Sequence, residues 1–218
     1  MKTDSLIVKI NGMVKLFSAN DMVVRAASDD AQFEPETFQY WLKHLKEDHI
    51  AIDVGSYTGL YAIAAHMHGC TTHAFEPNDL VHSRLCGNIE LNHAYGIQTH
   101  IEACSDKHGM MNFVQKPIPL TSAGHIGDEA KGIPVGCRML DSFFQFNQRR
   151  KVCAIKIDVE GHEPNVIRGA SNIIENSKPL VIAEFLVEEQ KEYLIELMTT
   201  FGYNKFFICD DRNLVCEP

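Results

Sequence analysis

Ile52-Asp53-Val54-Gly55-Ser56-Tyr57-Thr58-Gly59 is the stretch around which the chain is organised. A short apolar run, His49-Ile50-Ala51, precedes it. Leu60-Tyr61-Ala62-Ile63-Ala64-Ala65-His66-Met67 follows and reads as a helix stopped at Gly69. A strand that turns through glycines into a helix N-terminus presents backbone N–H groups and lets a ligand lie against the chain. Asp53, at the strand end, adds a carboxylate where an ammonium or a hydroxyl can dock.

The glycine spacing separates this turn from its commonest relative. A dinucleotide-binding turn needs G-x-G-x-x-G, whose second glycine admits a pyrophosphate. Here Gly55 and Gly59 stand four apart and Tyr57 occupies the intermediate position. Asp-x-Gly-x-x-x-Gly is instead the form in which S-adenosylmethionine (AdoMet) methyltransferases hold the methionine end of the cofactor. The next apolar run, Thr71-Thr72-His73-Ala74-Phe75, ends in Glu76-Pro77, so that Glu76 follows Gly55 by 21 residues. That is close to the ~20 residues after which a dinucleotide fold places its ribose-binding acid. A carboxylate accepting both hydroxyls of a ribose diol serves AdoMet equally well.

Strands and helices alternate through the rest of the chain, which predicts a parallel sheet with helices on both faces. A helix starts at Asp79 and frays near Asn92-His93; a third strand, Gln98–Ala103, runs into Cys104-Ser105-Asp106. In sheets of this order that loop lies against the adenine, which makes Ser105 and Asp106 candidate base contacts. From Gly109 to Val135 the chain is broken by Pro and Gly, with one short strand at Met111–Val114, and reads as a substrate loop. Thr121–His125 is expected to approach the substrate, and Arg138–Phe144 to lead into a helix. Val152–Ile157 is an apolar strand closed by Asp158-Val159-Glu160-Gly161-His162-Glu163. A helix through Val166-Ile167, a buried strand Leu180–Phe185 and a helix from Glu188 to Phe201 follow. Lys205–Cys209 and Leu214–Cys216 close the chain as a hairpin, the way methyltransferases insert an antiparallel seventh strand.

At the other end, Leu6–Ile10 and Met13–Phe17 flank Asn11-Gly12, the strongest short hairpin signal. Pro35 suits a first helical position, and Phe38, Trp41, Leu42 and Leu45 form one apolar helix face. The fold class expected is therefore α/β. It comprises a mostly parallel seven-stranded sheet with an antiparallel last strand, helices on both faces, and an N-terminal β-hairpin plus helix. Residues 1–218 are read as one domain, with 1–48 as hairpin and helix and 49–218 as a cofactor-binding core.

Composition narrows the function. A chain of 218 residues, 45% hydrophobic and 22% charged, has the size and balance of one soluble globular domain. Its net charge is −9 and no basic run occurs, which argues against phosphate-backbone binding and so against nucleic acid. No apolar run approaches the ~20 residues of a membrane span, and Met1-Lys2-Thr3-Asp4 lacks a signal-peptide core. Seven scattered cysteines without C-x-x-C indicate reduced thiols, hence a cytoplasmic location. His66 and His68, two apart on a predicted helix, face different ways and read as surface or packing residues.

Taken together, these motifs resemble the FkbM family of AdoMet-dependent methyltransferases. The resemblance rests on Asp53–Gly59, Phe75-Glu76-Pro77-Asn78, Asn88-x-x-x-Asn92, Ala103-Cys104-Ser105-Asp106, Leu140-Asp141 and Lys156–Glu163, in that order across about residues 33–185. It implies an O-methyltransferase acting on a hydroxyl of a small molecule, sugar or lipid, with AdoMet as cofactor. It implies cofactor contacts from Asp53, Gly55, Ser56, Tyr57, Gly59, Glu76, Asn78, Ser105 and Asp106, and chemistry from Asp158, Glu160 and His162. Ser56-Tyr57 departs from the small residue or Asn expected there.

Asp158, Glu160 and His162 admit three readings. A divalent cation could sit among them, His162 could be a general base, or Asp158 could orient AdoMet while Glu160 satisfies loop N–H groups and His162 lies exposed. If the chain stays extended past Asp158 the three share a face, and Gly161 is where it could bend instead. A nicotinamide-dependent oxidoreductase and a catalytically silent binding domain are the rival functions.

Overall fold

The computed structural model describes residues 7–18, 21–27, 30–115, 124–127, 132–144 and 151–218. It begins with β1 (Ile7–Ile10) and β2 (Val14–Phe17), paired antiparallel. Asn11 and Gly12 both have positive φ, and Met13 N–H donates to the Ile10 carbonyl at 3.0 Å, so the turn closes as Asn-Gly predicts. Two helices follow, a short α1 (Met22–Ala26) that the sequence pattern did not announce and α2 (Pro35–His44). Trp41, Phe38 and Tyr61 meet edge to face at about 6 Å, fixing α2 to the core.

The core then runs β3 (Ile50–Val54), α3 (Leu60–Met67), β4 (Thr71–Phe75), α4 (Asp79–Leu91) and β5 (Gln98–His100). A second sheet interrupts it with β6 (Ala103–Cys104), β7 (Gly109–Gln115), β8 (Gly124–Ile126) and β9 (Ile133–Arg138). The core resumes with β10 (Val152–Ile157), α5 (Glu163–Arg168), α6 (Ser171–Ser177), β11 (Leu180–Glu184), α7 (Glu188–Thr200), β12 (Lys205–Cys209) and β13 (Asn213–Glu217). The main sheet has seven strands in the order β12-β13-β11-β10-β3-β4-β5, with β13 antiparallel to both its neighbours.

The pleat sorts the central strands cleanly. Ile50, Ile52, Val54, Ile155, Ile157, Val181 and Ala183 join the core under α5, α6 and α7. Ala51, Ala154, Leu180 and Ile182 join the core with α2, α3 and α4. Asp53 and Lys156 alternate into that second set and are register partners across β3 and β10. Two charged residues in buried strands thus belong on the α2–α4 face, next to each other.

Three expectations need correction. The third strand stops at His100, where Glu76 N–H takes its carbonyl at 3.0 Å; residues 103–104 pair instead with β9. The Gly109–Val135 excursion is largely a four-stranded sheet, order β6-β9-β7-β8, around Ala103, Phe113, Val135 and Cys137. Pro134 is accommodated in β9 because it lies beyond the short β6 pairing, where one side of β9 has no partner strand among the described residues. The element after Arg138 is a single 3₁₀ turn, Leu140–Ser142. Thr121, Ser122 and Ala123 lie outside the described residues.

The hairpin is bound to the core through the Asn88-x-x-x-Asn92 motif. Phe17 N–H donates to Asn88 Oδ1 at 3.1 Å, and Lys15 exchanges hydrogen bonds of 2.9 and 2.7 Å with the Asn92 amide. These asparagines pair the exposed edge of β2. All seven cysteines are free thiols, six of them buried. Among the described residues no helix is long and apolar enough to cross a membrane.

Candidate active site

The carboxyl ends of β3, β4, β10 and β11 open onto one cleft of about 270 Å³. Met22, Val23 and Ala26 of α1, with Phe33 and Glu34, form one wall; Phe113 and Ile126 of the second sheet reach the other side. Open α/β sheets place their ligands at this edge. Gly55 (φ +78°) lets the β3 turn touch the end of β10: a Cβ there would lie 1.8 Å from the Asp158 carbonyl oxygen. Gly59 (φ +96°) begins α3, and a Cβ on it would meet Leu85 at 2.5 Å. Both glycines are demanded by geometry rather than by flexibility.

The turn spends most of its own amides internally. Gly55 and Ser56 N–H both donate to the Phe75 carbonyl, and Ser56 Oγ–H donates to the Asp53 carbonyl at 2.7 Å. Asp53 Oδ2 accepts from Ala62 N–H at 3.0 Å, tying the strand end to α3. Tyr57 N–H goes to Glu76 Oε2 at 3.1 Å, and Asn78 N–H to Glu76 Oε1 at 2.9 Å. Glu76 is therefore held by one N–H on each oxygen while it lines the cleft. The Asn78 side chain lies outside the cleft lining and caps α4, accepting from Leu80 and Val81 N–H. Tyr57 also explains its presence in a position expected to be small. Its hydroxyl accepts Met22 N–H at 2.8 Å and so anchors α1 over the cleft.

Lys156 is 1% exposed and its Nζ lies 3.5 Å from Asp158 Oδ2 and 5.3 Å from the Tyr61 ring centre. Burial works to lower its pKa, but Asp158, Glu34, Glu184 and Asp53 outweigh it and raise the value. Glu34 sits at φ +43°, begins α2 without capping it, and accepts the Tyr61 hydroxyl at 2.5 Å. Asp210, from the β12–β13 turn, supplies the cap instead through Thr37 N–H at 2.7 Å. Glu184, at the end of β11, completes the ring beside Arg212 at 3.5 Å.

Burial, ahead of every other influence, pushes the Asp53 carboxyl up to about 7 and those of Glu76 and Glu184 to about 8. Such groups hold protons more tightly folded than unfolded. Their stabilisation is complete below the unfolded value of about 4 and is lost as pH climbs through 7 to 8. The histidines work the opposite way. Burial lowers His73 to about 4 and also lowers His82, His100 and His162. Their contribution is present above about 6.5 and lost as pH falls. The thermal midpoint of the ligand-free protein should peak at about pH 6.5 and fall by several degrees by about pH 8.5. Scanning calorimetry across that window checks this, and a midpoint that keeps rising contradicts it.

The chain does not stay extended after Asp158. Glu160 (φ +56°) and Gly161 (φ +106°) turn it, and yet Asp158, Glu160 and His162 all line the cleft. The device that shapes the turn is Glu163, fully buried at the start of α5. Its Oε1 accepts Val159 N–H at 3.0 Å and Gly161 N–H at 3.2 Å, and its Oε2 accepts the Gln190 amide. The loop N–H groups expected to go to Glu160 are thus met by Glu163. His162 Nε2 is 2.9 Å from Ser105 Oγ, and Ser105 Oγ–H donates to Asp106 Oδ1 at 3.0 Å. Ser105 and Asp106 are absent from the cleft lining, where Glu102, Ala103 and Cys104 stand instead. Among the described residues no three His, Cys, Asp or Glu side chains are grouped to hold a metal ion.

The family model described as "Methyltransferase FkbM domain" matches residues 53–207. The chain belongs to the FkbM methyltransferase family. Hexuronic acid methyltransferase AglP of Haloferax volcanii is 24% identical over 81% of this chain and 73% of its own. The crystal structure of methyltransferase FkbM from Methylobacillus flagellatus superposes with TM-score 0.55 at 14% identity, over 90% of this chain. This chain spans only 57% of that protein's length. Pyrococcus abyssi tRNA (uracil-54, C5)-methyltransferase, in complex with S-adenosyl-L-homocysteine, superposes with TM-score 0.57 at 11% identity, over 100% of this chain and 45% of its own. Its fold therefore serves an RNA enzyme too, and the charge argument against nucleic acid finds no support in these likenesses.

Family membership makes AdoMet the cofactor and removes the nicotinamide alternative. The residues of this FkbM-family cleft fit that cofactor. AdoMet brings a sulfonium, an ammonium, one carboxylate and a ribose diol. Asp53, Glu76, Asp158, Glu160 and Glu184 line the cleft together with Lys156 and Arg212, so carboxyl groups outnumber cations around a ligand that brings two positive charges. The charges felt by Glu76 are themselves acids, Asp53 and Asp158, and its two backbone N–H partners leave lone pairs that the hydroxyls of a diol can use.

Proposed function

We propose that the protein transfers the AdoMet methyl group to a hydroxyl oxygen of a sugar, with residues 1–218 acting as one methyltransferase domain. The observation that carries this reading is His162, a histidine whose pKa is lowered by burial, on the cleft wall beside Asp158 and Glu160. An alcohol is a poor nucleophile unless a base accepts its proton as the bond forms, which is worth about 10²–10⁴-fold. The similarity to a hexuronic acid methyltransferase supports a sugar acceptor.

Glu76 takes the ribose hydroxyls, steadied by the Tyr57 and Asn78 amides. Asp53, Gly55, Ser56 and Gly59 shape the turn for the methionine end, with Asp158 and Glu184 facing its cations. Phe75, Pro77, Ala103 and Cys104, which line the cleft where Ser105 and Asp106 do not, would flank the adenine. When bound, AdoMet supplies an electrophilic methyl for in-line displacement. Met22, Val23, Phe113 and Ile126 give the cleft dry walls, and His162 takes the proton.

At a pH above about 8, where Glu76 is ionised, Glu76→Ala should weaken AdoMet binding by about 1.5–3 kcal/mol, the loss of a charge-assisted hydrogen bond, with the fold intact. Calorimetric titration reads this directly; parental affinity would leave Glu76 as a strand-end residue only. The acceptor class is tested by release of S-adenosylhomocysteine with neutral sugars, uronic acids, phenols, amines and RNA. Sugar-dependent release supports the proposal, and release with RNA or amines alone refutes it.

A further inference from the structure

Ser105 and Asp106 were expected at the adenine, yet their side chains turn away from the cleft and meet His162 from behind. Ser105 is fully buried and its hydroxyl has one proton to give. Asp106 Oδ1 at 3.0 Å and His162 Nε2 at 2.9 Å compete for it, with the weaker Cys137 sulfur as a third neighbour. A carboxylate is the stronger acceptor, so the proton belongs to Asp106 and Ser105 must accept from Nε2–H. Asp106 is itself fixed, since Asn165 Nδ2 donates to its other oxygen at 3.2 Å. The loop packs closely on the end of α5, where a Cβ on Gly169 would lie 1.9 Å from the Ser105 carbonyl oxygen.

We propose that Asp106 and Ser105 are positioning residues that hold His162 as its Nε2–H tautomer, leaving Nδ1 to accept the proton of the methyl acceptor. This rests on the hydroxyl-methylation reading above. As the acceptor O–C bond forms, the sulfonium S–C bond breaks and its electron pair stays on sulfur. The acceptor's proton passes to Nδ1 and leaves to water after product release. The imidazolium formed meanwhile faces Asp106 through Ser105, with Lys107 and Arg168 opposing from the same loop and from α5, and Asp158 and Glu160 from its own loop. The arrangement places an orienting acid behind a base, through one hydroxyl.

Nitrogen-15 NMR on histidine-labelled protein tests the tautomer without any acceptor. The parent should show His162 protonated on Nε2, and Ser105→Ala should convert it to a mixture. Asp106→Asn, a gentler change, should shift the His162 titration to lower pH and carry the ascending limb of the kcat profile with it. In both variants kcat should drop on the order of 10-fold while AdoMet affinity stays within about twofold, because neither side chain lines the cleft. A parent protonated on Nδ1, or a tautomer and pH profile unmoved in both variants, overturns the relay. Parental turnover in His162→Ala overturns it as well. Failure of the parent to methylate any hydroxyl counts against the proposed function alone, since the NMR result decides the relay separately.

Discussion

Gly55→Ala is expected to cost about 2–5 kcal/mol of stability and to abolish AdoMet binding. The left-handed backbone at Gly55 disfavours any Cβ by about 1–2 kcal/mol. The added carbon would stand 1.8 Å from the Asp158 carbonyl oxygen, a backbone atom held by its place at the end of β10. Forcing an extra carbon into a packed site costs about another 1–3 kcal/mol. Relief requires β3 and β10 to part where Asp158 N–H donates to the Val54 carbonyl at 2.9 Å. The cleft is built on that junction, so affinity falls with stability. Urea unfolding and AdoMet titration of the variant measure both. A variant with parental midpoint and affinity would mean that the two strand ends do not meet as described.

Asp158→Asn should leave the protein folded and lower kcat/KM about 100- to 1,000-fold, the scale of losing one preorganised charge at a reacting centre. Asp158 both lines the cleft and lies 3.5 Å from the buried Lys156. Asparagine keeps the shape and removes the charge that faces the cofactor's cations. It also leaves Lys156 beside Glu34, Glu184 and Asp53, the other acids that raise its pKa. Steady-state kinetics with parallel thermal melts separates the two effects. Full activity in this variant would remove Asp158 from the chemistry.

What could be read from the chain alone was what its local pattern encodes. Asp53–Gly59 and Glu76 announce themselves because a glycine turn and a strand-end acid are short-range features with fixed spacing. The seven-stranded sheet was legible because β3, β10 and β11 are buried on both faces and so read as continuous apolar runs. The parts that escaped depend on pieces brought together by docking. Ser105 meets His162 across 57 residues, and Tyr57 anchors Met22 across 35. Nothing in either neighbourhood signals the other. Glu163 was quoted within its motif without a role, because its partners are amides of a loop whose bend depends on positive φ at Glu160 and Gly161. The second sheet was hidden for a related reason. β6 and β8 are only two and three residues long, Pro134 sits within β9, and it is pairing at a distance, five residue pairs of it between β7 and β9, that makes them a sheet.

Methyl transfer to oxygen is the reaction the cleft is proposed to perform. It is tested most directly by incubating the protein with methyl-carbon-13 AdoMet and the sugar that gives the fastest S-adenosylhomocysteine release, then locating the label by NMR. The predicted result is carbon-13 in an ether methyl on a sugar oxygen, formed in equal amount to S-adenosylhomocysteine and lost in His162→Ala. Label on nitrogen, sulfur or carbon, or no transfer from AdoMet to any hydroxyl, would contradict it.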